Sequence, residues 1–234
     1  FVTLKKALYM DELITKHSAI MDRYDPDKKV ALIVDEWGTW YDVEPGANPG
    51  FLYQQNSLRD ALVAALNLHI FHDHCDRVRM ANIAQTVNVL QAMVLTDGDQ
   101  MLLTPTYHVF EMFTPHHDAD RLAIEYDAGQ YVMDDTQIPQ VSASASMKDD
   151  RVFLTLVNIS HKDSAEVTIG LDGDYQFNGG RILTADALDA HNTFDRRDTV
   201  KPADFSNIRR EEQGFTATIP PASVATLTYH GSSN

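Results

Sequence analysis

The segment Val34-Asp35-Glu36-Trp37-Gly38-Thr39-Trp40-Tyr41 places two carboxylates and three aromatic rings within eight residues. A carboxylate can serve as nucleophile, general acid or general base, and an aromatic face can stack on the C–H face of a sugar whose hydroxyls need acceptors. The pair follows Val30-Ala31-Leu32-Ile33-Val34, a continuous apolar run of strand length. Such a run is expected for a parallel strand covered on both faces, and the C-terminal end of such a strand is where barrel enzymes keep catalytic groups. The plainer alternative is that Asp35 and Glu36 cap a loop and the tryptophans fill a barrel mouth.

Other clusters carry less chemistry. His72-Asp73-His74-Cys75-Asp76 and His116-His117-Asp118 contain metal-ligating side chains. Neither has distant partners at a recognised spacing, and zinc wants about four preoriented ligands, so structural roles and no metal are expected. His17 falls on the apolar side of the first helical segment, where a hydrogen-bonded packing role is expected. Asp174-Tyr175 and Asp195-Arg196-Arg197-Asp198 read as turns and exposed ion pairs.

The elements that must position these groups follow from periodicity. Apolar residues recur at three- and four-residue steps over 4–24, which predicts an amphipathic helix ended by Asp25-Pro26-Asp27. The loop over 41–50, rich in Gly and Pro, leads to a nearly all-apolar helix over 58–70, a short strand over 77–83, and a last helix from Thr104-Pro105 to Phe113. Helix, strand, helix and strand in that order make βαβ units. Beyond Asp118 the texture changes to short alternating or β-branched runs over 151–159, 165–171, 214–219 and 224–229, the pattern of an antiparallel sandwich. A small-residue stretch over 142–146 stands apart from these.

Composition bounds the function. Of 234 residues, 19 are Lys or Arg and 34 are Asp or Glu, a formal net charge of -15, which supplies no basic face for nucleic acid. The 44% apolar content supports a packed core, and no apolar run approaches a membrane span. The single cysteine, Cys75, excludes an internal disulfide. The length is slightly short for a complete eight-fold β/α barrel of about 250 residues. The first residues lack an initiator Met and a signal-peptide layout, so the chain is expected to begin inside a fold.

Four blocks then stand out in order: LIVDEWGTWYDVEPGANPGFLYQQNSLRDALVAALNLHIF, HCDRVRMANIAQTVNVLQAM, LLTPTYHVFEMF and LDAHNTFDRRDTVKP. They closely resemble the α-L-arabinofuranosidases of glycoside hydrolase family 51, and the resemblance covers essentially the whole chain. It implies α/β plus all-β architecture. Residues 1–118 would be the C-terminal portion of a (β/α)8 TIM barrel, and residues 119–234 an antiparallel, jelly-roll-like β-sandwich. It also implies a retaining, exo-acting hydrolase that releases terminal arabinofuranosyl groups from arabinan, arabinoxylan or their oligosaccharides. No cofactor is implied, and the family suggests a cytoplasmic enzyme that often forms homo-oligomers.

Carried over by position, the nucleophile of the family's Asp-Glu-Trp motif falls on Glu36. The glutamine that bonds the arabinose, at the end of the Ala-Asn-Ile-Ala-Gln block, falls on Gln85. Trp40 matches the ring that walls the pocket near the leaving group. A retaining mechanism needs a second carboxyl about 5 to 5.5 Å from the nucleophile. In the family this acid/base belongs to an Asn-Glu pair upstream of the motif, and no Asn-Glu dipeptide occurs in this sequence. Asp35 is a poor substitute, because neighbours on a regular strand point to opposite faces. The acid/base is therefore expected upstream of Phe1. The alternatives are a non-catalytic fragment, or a carbohydrate-binding or assembly module with Tyr175 and Phe177 as its aromatics. A related glycosidase acting on another sugar would keep the same fold.

Overall fold

The computed structural model describes residues 1–231. Helices α1 (Val2–Ala7) and α2 (Tyr9–Tyr24) replace the single expected helix, with Leu8 between them still in the right-handed helical region. Only Leu4 and Ile14 of this pair are fully buried. His17 is exposed, which corrects its expected packing role: the second half of α2 leaves Ile20 and Tyr24 in the open as well. The turn after α2 is tied by Asp25, whose carboxylate accepts from the N–H groups of Lys29 and Val30. Arg77, only 1% exposed, reaches into the same turn and donates to Asp22, to Asp25 at 2.7 Å and to the Val30 carbonyl.

Strand β1 (Leu32–Trp37) lies parallel to β2 (Val78–Ile83), and α3 (Leu58–Asp73) connects them. Ser57 and Asp60 form a reciprocal cap at the start of α3, which satisfies two of its orphan donors. The apolar run starting at Val30 enters the sheet only at Leu32, and Val30, Ile33 and Met80 are 60%, 47% and 53% exposed. One face of this pair is therefore open, contrary to the expectation of a strand covered on both sides. Leu32 and Val34 pack against α3, while Ile33 faces away from it. A hairpin that periodicity passed over, β3 (Val94–Asp97) with β4 (Gln100–Leu103), turns at Gly98-Asp99 and leads into α4 (Pro105–Phe113), capped by the Thr104 hydroxyl.

The remaining strands are β5 (Asp120–Leu122), β6 (Gln130–Met133), β7 (Thr136–Pro139), β8 (Val141–Lys148), β9 (Arg151–Asn158), β10 (Ala165–Ile169), β11 (Tyr175–Leu183), β12 (Ala203–Asp204), β13 (Ile208–Glu211), β14 (Gly214–Ile219) and β15 (Ser223–Gly231). A six-stranded sheet in the order β12-β11-β15-β9-β8-β5 faces a three-stranded sheet, β10-β14-β13, and every pairing in the two is antiparallel. Leu154, Leu156, Phe215, Ala217, Leu227 and Tyr229 fill the space between them. The tight end of β14 requires glycine. Gly214 has φ +102, and a Cβ there would run into the Ile169 carbonyl. Gly214→Ala is expected to destabilise the protein by more than about 1 kcal/mol, read as a lowered midpoint in urea unfolding.

The small-residue stretch proves to be a central strand. Val141, Ala143 and Ala145 point into the sandwich core, and Ser142, Ser144 and Ser146 point the other way, towards the helices. There His69 Nδ1 meets the Ser142 hydroxyl at 2.8 Å, His72 Nδ1 meets Ser144 at 3.0 Å, and His116 Nδ1 meets Ser146 at 2.7 Å. Thr155 of β9 adds a contact to His69 Nε2 at 2.8 Å. The apolar core beneath α3 also takes in Val157, Leu183 and Val224 of the large sheet, so packing is continuous across residue 118.

Candidate active site

Along β1 the alternation of side chains is interrupted where the carboxylates sit. Val34 pairs with Ala81 and Trp37 with Ile83, so three steps on β1 match two on β2 and one extra residue is bulged out. Trp37 returns to the helix side. It is 4% exposed, stacks on Phe110 at 6.0 Å and meets Phe71 edge-on at 5.1 Å. The bulge lies between Val34 and Trp37, both packed against the helices, and leaves Asp35 and Glu36 both exposed. The simple alternation expected for Asp35 and Glu36 is thus replaced by an irregular strand end, a device that re-aims side chains next to functional sites. Asp35 is engaged by its neighbour on β2, the Asn82 amide donating to its carboxylate at 3.3 Å.

Glu36 and Gln85 end up beside one another in topology. The last rung of the parallel pair is Trp37 with Ile83, extended by the Ala84 N–H donating to the Trp37 carbonyl at 2.9 Å. Glu36 lies one residue before that rung, and Gln85 two residues after it on the other strand. Both are exposed. The Gln85 backbone is set by a turn in which its N–H donates to the Val89 carbonyl at 3.1 Å and its carbonyl accepts from Met93 at 3.3 Å. A carboxylate and a neutral amide at the C-terminal ends of adjacent parallel strands suit a nucleophile beside a polyhydroxylated substrate, since the amide both donates and accepts.

Trp40 follows on a short turn and is 66% exposed, between Thr39, which is buried, and Tyr41, whose ring lies 4.2 Å beneath the Arg59 guanidinium. Burial pushes the Tyr41 phenol above its ordinary value. A pocket of about 380 Å³ between α1, α2 and this turn is lined in part by Thr39, Trp40 and Tyr41 and includes neither Glu36 nor Gln85. The carboxylate and the amide are thus exposed outside that pocket, at the C-terminal end of β1 and just beyond the end of β2.

The histidine clusters are spread over separate partners. His72 bonds Ser144, His74 bonds Asp11 at 2.7 Å, Asp73 accepts from Arg121 at 2.6 Å, Asp76 pairs with Lys28, and Cys75 is exposed. Among the described residues no group of three or more His, Cys, Asp or Glu side chains is arranged to hold a metal ion. Tyr175 and Phe177 are partly buried against the sandwich core, Phe177 lying 5.8 Å from the Tyr229 ring. Periodicity missed the buried polar residues Gln54, Asp60 and Gln91 that surround the Trp40 turn. A Ser-x-x-Asp capping pattern at 57–60 was the one local signal for them.

The family described as the alpha-L-arabinofuranosidase C-terminal domain matches residues 35–223. An intracellular exo-alpha-L-arabinofuranosidase of Bacteroides ovatus is 46% identical over 229 residues, spanning 96% of this chain and 44% of that protein. The crystal structure of the GH51 arabinofuranosidase from Xanthomonas axonopodis pv. citri is 53% identical with a TM-score of 0.94, covering 97% of this chain and 46% of that one. An arabinose complex of the alpha-L-arabinofuranosidase from Thermotoga maritima, at 23% identity and a TM-score of 0.78, shares the fold. The chain thus spans less than half the length of the relatives it matches.

Proposed function

The chain belongs to the alpha-L-arabinofuranosidase C-terminal domain family, and from that premise we propose that it is the C-terminal part of a retaining, exo-acting α-L-arabinofuranosidase with Glu36 as nucleophile. Residues 1–118 would form the last two β/α units of a barrel and residues 119–234 its companion sandwich. The open face of β1 and β2, with Ile33 and Met80 exposed, supports further strands covering it. The acid/base then comes from chain outside these residues.

The observation that carries the reading is the placement of Glu36 and Gln85 around one rung of a parallel strand pair. Glu36 would attack the anomeric carbon as the acid/base protonates the departing oxygen. Water would then break the glycosyl-enzyme bond, giving up its proton to the same acid/base. Gln85 would hold sugar hydroxyls without adding charge beside the nucleophile, and Trp40 would stack near the leaving group. The substrate is an arabinose-containing oligo- or polysaccharide. A cytoplasmic location is supported by the intracellular relative. Among the described residues no helix is long and apolar enough to cross a membrane. A homo-oligomeric state belongs to the same proposal.

The complete protein is expected to hydrolyse an aryl α-L-arabinofuranoside and to release arabinose first as the α-anomer, followed by proton NMR of the anomeric signal. The chain of 234 residues alone is expected to be inactive. Initial release of the β-anomer would rule out retention. Hydrolysis by the short chain alone would rule out an acid/base lying elsewhere.

A further inference from the structure

The turn that carries Trp40 is held from both sides by two glutamine side chains, Gln54 at 1% and Gln91 at 0% exposure. Gln91 Oε1 accepts from the Thr39 N–H at 2.8 Å, and its amide donates to the Asp60 carbonyl at 2.8 Å and the Thr106 hydroxyl at 3.1 Å. Gln54 Oε1 accepts from the Tyr41 N–H at 2.9 Å, and its amide donates to the Thr39 carbonyl at 3.2 Å and the Thr39 hydroxyl at 2.9 Å. The Thr39 hydroxyl donates to Asp60 Oδ1 at 3.0 Å. The other carboxylate oxygen of Asp60 caps α3 through Ser57.

The Thr39 N–H and carbonyl and the Tyr41 N–H flank Trp40 on its two sides, and none of the three belongs to a strand ladder. A neutral primary amide is suited to the task, because it accepts from an N–H and donates to a carbonyl at once. In a buried setting every one of these bonds is costly to lose, so the turn has one conformation. Through Asp60 and Thr106 that conformation is referenced to α3 and α4, the two helices that also fix Trp37. Gly38 is part of the same fit: it has φ +129, and a Cβ there would stand 3.1 Å from Gln91 Oε1 and 3.3 Å from the Ile83 side chain.

We propose that Gln54 and Gln91 are positioning residues that clamp the turn on either side of Trp40 and so hold its ring ready to stack on the leaving-group part of the substrate. The inference rests on the reading of Trp40 as a substrate-contacting ring. A turn whose backbone is already fixed on both sides of the ring leaves only the side-chain torsions to be ordered when the substrate arrives, which favours binding more than the chemical step.

The test uses the complete enzyme and an aryl α-L-arabinofuranoside, with Gln54→Met, Gln91→Met, Trp40→Ala and the two double variants, and a thermal midpoint for each. Methionine keeps the length and removes the amide. Each Met variant is expected to raise KM about tenfold while kcat stays within about threefold. In the Trp40→Ala background the same substitutions are expected to move KM by less than about twofold, because the ring they position is gone. A Met variant that folds with an unchanged KM, or equal effects in both backgrounds, overturns the clamp. A Trp40→Ala enzyme with the parent KM overturns both the clamp and the reading of Trp40, so the two failures are distinct. The glutamines are substituted separately, and a poorly folded variant of one leaves the other to decide.

Discussion

Glu36→Ala in the complete enzyme is expected to lower kcat by at least about 10⁴-fold, because with Glu36 as the proposed nucleophile the step that would form the glycosyl-enzyme loses its attacking group. Glu36→Gln, which keeps the shape and removes the charge, is expected to be equally inactive. Added azide can enter the space left by alanine and attack the anomeric carbon. The C–O bond to the leaving group breaks as a C–N bond forms, the acid/base supplies the proton, and a β-arabinofuranosyl azide accumulates. Thermal midpoints are expected to stay within a degree or two of the parent, since an exposed side chain contributes little to stability. Asp35→Asn separates the two neighbouring carboxylates: Asp35 is already paired with Asn82 across the strands, so its loss is expected to cost less than about tenfold. Turnover near the parent level in Glu36→Ala, or loss confined to Asp35→Asn, would move the nucleophile elsewhere.

Acid should loosen the seam between the helices and the large sheet. Burial holds the His72 and His116 rings well below their ordinary 6.5, to about 4 and about 3, and holds the fully buried His69 well below it too. The geometry agrees with neutral rings: each is bonded to a serine hydroxyl of β8, and His72 lies 4.8 Å from His116. In the unfolded chain these rings take up protons as the pH drops through 6.5, whereas in the folded protein they do not until the pH nears 4 and 3. The contribution of these rings to stability is therefore level above pH 7 and falls steadily below 6.5, the unfolded state being the one that binds more protons. At pH 4 the loss amounts to roughly 3 kcal/mol for each of these two rings. Urea midpoints measured from pH 7.5 to pH 4 are expected to show that slope, and a His72→Gln, His116→Gln double variant is expected to flatten it. Equal slopes in parent and double variant would place the acid sensitivity in other groups.

Much of the frame could be read from local pattern. The apolar spacing over 58–70 gave α3 because a helix buried nearly all round needs apolar residues at almost every turn, and Thr104-Pro105 marked the start of α4. The strands β9, β10, β14 and β15 were visible through β-branched residues in alternation. Strand β8 escaped notice because its two faces carry alanine and serine, which differ little in hydropathy, although both faces are buried. His17 misled in the opposite direction, since helical spacing tells which residues share a side but not whether anything packs against it.

For the site, Glu36, Gln85 and Trp40 were proposed from the Asp-Glu-Trp segment and the Ala-Asn-Ile-Ala-Gln block by family resemblance, which was possible because each side chain belongs to a contiguous motif. What only the tertiary structure decided is how these residues are aimed. The bulge at Asp35 and Glu36 exists only relative to the register of β2, more than forty residues later in the chain. The Trp40 clamp joins Thr39 to Gln91 across a sequence separation of 52, and the seam joins His69 to Ser142 across 73. Periodicity reports a residue's own side of its own element, whereas a buried hydrogen bond between distant residues depends on where the packed core brings them.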